Sequence, residues 1–310
     1  MRAILFDGFG GTEVLYLGEV PDPVAGPGEI LVDIHAASVN AADSKVRAGP
    51  RSGEPGLDFP HILGRDFSGM VRSLGAGVTD FAPGDAVFGV TGRGTEGCYA
   101  EALSVPAALA AKKPDSMSHI AAAALSLTGL TALVALEDEA KLGAGQRVLI
   151  HGGAGGVGSF AVQFARHVGA HVMVTGRSVN HDYLRGLGAH EVIDYTECDF
   201  AEAVSDCDVV FDTIGGQVHA GSFAVLKPGG KLIHIAPPPK GFTPPRDDVT
   251  VIRPHVGRDR AHLERVLELV AEGAVKTPEI QTLPLAEARQ AQERSQAGHF
   301  RGKIVFQVRV

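Results

Sequence analysis

Cysteine is scarce: Cys98, Cys198 and Cys207 are the only three in 310 residues, and no two of them form a CxxC pair. A disulfide framework or a zinc ribbon needs close, paired spacings, so neither is expected, and a reducing, cytoplasmic setting suits the chain. The 13 histidines are scattered without an HExxH pattern. Blocks of Lys or Arg are also missing. With 28 basic against 36 acidic side chains the formal charge is -8, which argues against nucleic acid or an anionic membrane as partner. Residues 120–136 are uncharged but rich in alanine, interrupted by Ser126, Thr128, Gly129 and Thr131, and just short of a spanning length; they read as an internal helix with a break, not a membrane span. Met1-Arg2-Ala3-Ile4-Leu5-Phe6-Asp7 turns polar too early for a signal peptide, so secretion is not expected.

What is present is a globular composition. Hydrophobic residues make up 45% of the chain, and a chain of this length buries roughly 75% of its unfolded surface. The first third reads as short strands and turns: Glu29 to Ala36 alternates after Pro27-Gly28, Ser68 to Leu74 is a second strand, and Pro83-Gly84-Asp85 turns into Ala86-Val87-Phe88. After Pro114 strands and helices alternate. Strands are predicted at 147–150, 170–175, 191–193, 208–211 and 231–235, with helices at 157–168 and near 182–187. This pattern predicts an α/β fold with a Rossmann-type, doubly wound parallel sheet. A helix at 260–272, a helix near 286–297 and a strand at 303–308 then resemble the first third more than the βα units. The predicted organisation is therefore residues 1–121, a nucleotide domain over 122–257, and a return to the first domain over 258–310.

The strongest local signal is Gly153-Ala154-Gly155-Gly156-Val157-Gly158, which follows one predicted strand and opens the next helix. Glycines there permit a tight turn, close approach of a diphosphate, and close helix–sheet packing, while the helix N-terminus offers free N–H groups. The flanking βαβ units favour a dinucleotide site over a bare flexible turn. An acidic side chain at Gly158 is expected to destroy dinucleotide affinity in a chain that still folds. At the end of the second strand an NAD site places an acid for the ribose hydroxyl, but here Thr175-Gly176-Arg177-Ser178 stands in a stretch without acids from Ser159 to Asp182. Arg177 and Ser178 suit a 2'-phosphate, so NADPH is the expected cofactor, the alternative for Arg177 being a solvated loop charge.

Across its whole length the chain resembles the medium-chain dehydrogenase/reductase superfamily, and within it the zinc-free quinone oxidoreductase branch. The segments that carry the likeness are Pro27-Gly28-Glu29-Ile30-Leu31-Val32, Ala37-Ser38-Val39-Asn40-x-x-Asp43, Gly64-Arg65-Asp66-Phe67-Ser68-Gly69, Pro83-Gly84-Asp85, Tyr99-Ala100-Glu101, Leu130-Thr131-Ala132, the glycine loop, Phe211-Asp212-Thr213-x-Gly215-Gly216 and Gly302-Lys303-Ile304-Val305. The resemblance implies a β-rich, GroES-like catalytic domain into which the nucleotide domain is inserted. In zinc-containing relatives a cysteine ligand stands at the position of Asn40, and Gly-His-Glu at Gly64-Arg65-Asp66. Asn40 and Arg65 cannot replace a thiolate and an imidazole, so no zinc is expected.

The resemblance also implies site residues. Asn40 is expected near the nicotinamide ribose or the substrate oxygen, Thr131 on the carboxamide side, and Tyr195 at the adenosine 2'-phosphate. Asn40 and Thr131 also read as ordinary buried hydrogen-bonding residues. Asp43 and Arg47 read equally well as a turn-fixing carboxylate and a structural ion pair. Lys45 replaces an aromatic of the relatives and leaves the pocket open to question, as do segments 48–59 and 237–248, which are expected to shape it. Without a metal, a simple ketone lacks its Lewis acid, whereas a quinone or α,β-unsaturated carbonyl accepts hydride and spreads the charge onto oxygen. The resemblance thus implies a homodimeric NADPH-dependent reductase of a small quinone or enone. The competing expectation is an NADPH-binding structural or regulatory protein of weak turnover.

Overall fold

The computed structural model describes residues 1–50, 56–92, 94–95, 97–298 and 300–309. Residues 51–55 of the first pocket-shaping segment lie outside the described residues. The chain divides into two compact units: Met1–Leu127, Arg258–Val266 and Glu279–Val310 form one, Thr128–Gly257 and Leu267–Pro278 the other.

The first unit carries β1 (Arg2–Phe6), β2 (Tyr16–Glu19), β3 (Glu29–Ser38), β4 (His61–Ile62), β5 (Asp66–Leu74), β6 (Ala86–Val90), β7 (Ala102–Pro106) and β8 (Ala110–Lys112), with α1 (Ala41–Ala48) after β3. The alternation seen from Glu29 onward has its physical cause here. Ile30, Val32 and Ile34 pack with Phe67, Val87 and Phe306 in one core, and β3 is bent by register shifts where β5 runs beside it. A long central strand results, with β5 and β7 antiparallel to it.

The second unit carries β9 (Arg147–His151), β10 (His171–Thr175), β11 (Glu191–Ile193), β12 (Cys207–Asp212), β13 (Leu226–His234) and β14 (Thr250–Ile252). Their order is β11-β10-β9-β12-β13-β14, all parallel, which is the doubly wound order in which a dinucleotide crosses the C-terminal strand ends at the reversal. Val148, Leu149 and Ile150 of β9 are wholly buried, as a central parallel strand covered on both faces requires. Between the strands run α3 (Gly156–His167), α4 (His181–Gly186), α5 (Phe200–Ala203) and α6 (Gln217–Val225). Edge strand β14 leaves Val251 exposed.

The uncharged stretch needs a correction. It forms α2 (His119–Leu133), which continues without a break into a π-helical turn at Val134–Glu139. Ser126 Oγ donates back to the Ala122 carbonyl at 2.8 Å, so the polar residue is satisfied within the helix. The helix His119–Glu139 is long and apolar enough to cross a bilayer, but 78% of its apolar window is buried inside the protein, the signature of a core helix.

Past α7 (Arg260–Ala271), the chain forms β15 (Ile280–Pro284), α8 (Ala288–Ala297) and β16 (Lys303–Gln307). β15 was not expected from the sequence, which reads there as turns. It pairs in parallel with β16, and β16 lies antiparallel against β3.

Candidate functional site

In the second unit, β9 ends at His151 and the chain turns through Gly152, whose φ of 75° favours glycine. Gly155 is the N-cap of α3 and has no side chain to cap it, so the first N–H groups of the helix stay open to an anion. Packing requires two of the motif's three glycines and leaves the third open. A Cβ on Gly153 would run into Val174, and one on Gly158 into the backbone of Gly152 and Gly153. At Gly155 the nearest atom is the Gly152 carbonyl oxygen at 3.6 Å, an ordinary contact. Gly153 and Gly158 are buried, while Ala154, Gly155, Gly156 and Val157 are half-buried and form the open side of the turn. The expectation that an acidic side chain at Gly158 leaves the fold intact is therefore corrected: that position is closed by backbone.

The neighbouring strand ends bring the other expected residues together. Thr175 of β10 pairs with Ile193 of β11, which sets Gly176, Arg177 and Ser178 beside Asp194 and Tyr195. Arg177 and Ser178 are exposed, and Tyr195 is 46% exposed. Thr175 is different: it is buried, and its Oγ1 lies 3.0 Å from His151 Nδ1. Sequence reasoning missed Asp194. Its Oδ2 accepts the Ser178 N–H at 2.6 Å, and its Oδ1 accepts the Thr196 amide at 2.9 Å and the Thr196 hydroxyl at 2.6 Å. The Thr196 hydroxyl and amide, with the Ser178 amide, hold its carboxyl below the usual range. An acid does reach this corner, but from the third strand, and its lone pairs are turned to the loop.

The loop after β12 is set by Asp212, whose Oδ1 accepts the amides of Ile214 at 2.9 Å and Gly215 at 2.8 Å. Thr213 Oγ1 donates to the His151 carbonyl at 2.7 Å. Two loops thus meet at the C-terminal ends of β9 and β12, where the strand order reverses. Thr131 belongs to this unit and is buried on α2.

In the first unit, Asn40 follows β3 and is the N-cap of α1. Its backbone N–H donates to Asp43 Oδ2 at 2.8 Å, which fixes the turn, and that oxygen also accepts the Tyr99 hydroxyl at 2.6 Å. Burial pushes the Asp43 carboxyl up to about 6, against the opposing pull of the Tyr99 bond. Arg47 is buried and donates to Gln296 Oε1 at 3.0 Å. The Asn40 side chain is fully engaged: Nδ2 donates to Asp66 Oδ2 at 2.9 Å and to the Ser38 carbonyl at 3.2 Å, and Oδ1 accepts from Lys303 Nζ at 2.7 Å. Lys303, quoted from the sequence only as part of a family segment, is a second residue whose place sequence reasoning missed.

Among the described residues no group of three or more His, Cys, Asp or Glu could hold a metal ion. Cys98 and Cys207 are buried and Cys198 is exposed, all three free; burial raises the Cys207 thiol to about 12.

Comparison with known proteins matches residues 26–115 to the alcohol dehydrogenase GroES-like domain and residues 187–306 to a domain described as zinc-binding dehydrogenase. A chloroplastic quinone oxidoreductase of Triphysaria versicolor is 34% identical over 99% of this chain and 98% of its own length. The structure of the quinone oxidoreductase from Coxiella burnetii, 35% identical, superposes with a TM-score of 0.89 over 100% of this chain and 99% of its own. The Escherichia coli quinone oxidoreductase, solved in complex with NADPH, superposes with a TM-score of 0.88 at 26% identity, covering 99% of this chain and 100% of its own.

Proposed function

Because this chain belongs to the quinone oxidoreductase branch of the medium-chain dehydrogenase/reductase superfamily, we propose that it reduces a small quinone or α,β-unsaturated carbonyl with NADPH, without zinc. The observation that carries the reading is the glycine turn at the head of α3, open at Gly155, with exposed Arg177, Ser178 and Tyr195 gathered at the adjacent strand ends. Open N–H groups suit a diphosphate, and a guanidinium beside two hydroxyls suits a 2'-phosphate. The Escherichia coli relative, solved with NADPH, supports the same cofactor.

The residues divide the work as follows. Gly153 and Gly158 hold the turn against β10 and α3, and Gly155 and Gly156 leave room for the diphosphate. Arg177, Ser178 and Tyr195 select the phosphorylated ribose, and Thr131 faces the carboxamide. When bound, NADPH supplies the hydride. Asn40 offers an amide hydrogen to the substrate oxygen as negative charge develops there, drawing on its longer bond, the 3.2 Å contact to the Ser38 carbonyl. A quinone that gains one hydride and one proton, the proton from solvent, leaves as the hydroquinone; an enone gains the same pair across its double bond.

The nucleotide domain is taken as residues 122–257. β14 leaves an uncovered sheet edge, and its pairing across a two-fold axis makes the protein a homodimer. Three free cysteines suit the cytoplasm. The test is NADPH oxidation, followed optically, over a panel of quinones and enones. Acceptor-dependent oxidation supports the reading. Thermal protection by NADPH with no acceptor consumed would overturn it in favour of a binding or regulatory protein.

A further inference from the structure

Three strand ends meet in the first unit: the end of β3, the start of β5 and the start of β16. Val39 N–H donates to the Ile304 carbonyl at 2.9 Å, which brings Lys303 alongside Asn40. On the other side, Ser38 gives its N–H to Asp66 Oδ1 and its hydroxyl to Asp66 Oδ2, both at 2.8 Å. Lys303 is only 4% exposed and Asp66 fully buried, while Asn40 between them is half-buried. Asn40 is therefore the least buried member of this polar cluster and links its charged pair. Burial pushes the Lys303 amine down and the Asp66 carboxyl up, and each draws the other back toward its charged form.

This arrangement dictates which way round the amide sits. Lys303 Nζ, which donates to the Val39 carbonyl at 2.8 Å as well as to Asn40 Oδ1, has only donors. The Asp66 carboxylate has only acceptors. A flipped Asn40 would set donors against the ammonium and an oxygen against the carboxylate, losing two charge-assisted hydrogen bonds. The ammonium on Oδ1 also draws electron density from the amide nitrogen and makes its hydrogens better donors.

We propose that Lys303 is a positioning residue for the reduction, acting through Asn40: with Asp66 it holds the amide in one orientation, Oδ1 on the ammonium and Nδ2 on the carboxylate, and polarises for the substrate oxygen the hydrogen that Nδ2 gives to the Ser38 carbonyl. This places a fixed, buried ammonium behind the residue that stands where zinc relatives have a metal ligand. The assignment rests on the reductase reading above.

The test is a double-mutant cycle on kcat with one quinone, using wild type, Lys303→Met, Asn40→Ala and the double variant. Lys303→Met should lower kcat by roughly tenfold or more and leave NADPH affinity, titrated separately, within about twofold. In the Asn40→Ala background the same change should cost less than about twofold. Equal losses in both backgrounds would mean that Lys303 serves only the fold, and would overturn the proposal. Should Lys303→Met fail to fold, the wild type decides. With lysine side chains labelled with nitrogen-15, the Lys303 ammonium resonance should shift when the hydroquinone product binds, and this shift should vanish in Asn40→Ala. No shift in the wild type overturns the proposal. A wild type that binds NADPH but reduces no acceptor removes the reductase reading first, and this assignment with it, before any variant is compared.

Discussion

The carboxylate of Asp194 accepts the backbone N–H of Ser178 at 2.6 Å, tying the end of β11 to the turn after β10. An acid near the ribose would ordinarily select an unphosphorylated cofactor. Here one oxygen is filled by Thr196 and the other by Ser178, and the residue is 6% exposed. Asp194 is thereby a brace for the loop that presents Arg177.

Arg177→Ala should consequently lower kcat/KM for NADPH by about tenfold or more, a change of about 1.4 kcal/mol, and change it little for NADH. Parallel kinetics with both cofactors check this. Equal losses would show that Arg177 supports the loop and does not read the phosphate. Asp194→Ala, which frees the loop, should harm both cofactors.

The glycine turn gives a second prediction that depends on position. Gly155 has φ -77° and ψ 174° at the N-cap of α3, a conformation that any residue adopts and that Asp fills well, since its carboxylate caps the first turn. Gly155→Asp should therefore fold with an unchanged or higher Tm, yet lose at least roughly tenfold in NADPH affinity because the carboxylate takes the N–H groups and repels diphosphate. Gly158→Ala should be strongly destabilised, because its methyl meets the Gly152 and Gly153 backbone. Melting curves and calorimetric titration separate the two. Unchanged NADPH affinity in folded Gly155→Asp would rule out the cradle.

How far these features were legible depended on how local their causes are. The βα alternation, the glycine turn and strand 191–193 follow from periodicity and turn chemistry within a few residues, and they appear where the sequence put them. β15 was not legible, because Ile280–Pro284 is mostly exposed and owes its strand to β16. The unbroken α2 was misread for a related reason: Gly129 and three hydroxyl residues look like an interruption, but burial outweighs their weak helix propensity. At the site, Asp194 escaped notice because its partner Ser178 is 16 residues away. Lys303 escaped because it meets Asn40 only after a separation of 263 residues. Long-range polar pairs leave no periodic trace.

A third prediction concerns metal. Asn40 has both ends of its amide occupied by Lys303, Asp66 and Ser38, and Arg65 carries no ligating lone pair. Protein purified without a metal-binding tag should hold well below one zinc per chain, and a chelator should leave NADPH oxidation unchanged. Stoichiometric zinc whose removal stops turnover would refute the zinc-independent reading.

The last prediction is a pH dependence seated beneath the glycine turn. His151 ends β9 at 1% exposure, with Nδ1 3.0 Å from Thr175 Oγ1 and Nε2 3.2 Å from Ser222 Oγ. Ser222 spends its own hydrogen on the Val218 carbonyl at 2.7 Å, so it accepts from Nε2–H, and Nδ1 takes the Thr175 hydroxyl hydrogen. The neutral ring is thus satisfied, and the Phe200 ring stands edge-on to it at 4.6 Å. Burial drives its pKa well down, with Asp212 pulling weakly the other way. A depressed folded pKa contributes stability that is complete above the unfolded value of about 6.5 and is lost as pH falls through the folded value. Asp43 has the opposite sign: its carboxyl is raised to about 6, so its contribution is complete below the unfolded value and is lost as pH rises through 6. The wild-type curve sums the two, and only a difference isolates the histidine. Between pH 6.5 and 5, wild type should lose up to about 1.4 kcal/mol per pH unit relative to His151→Gln, measured by urea unfolding. NADPH affinity should change alike in the wild type and His151→Gln over the same range, because the folded ring stays neutral until the pH nears about 4. Parallel unfolding curves for the two proteins across that window would show that His151 is not held neutral by its burial.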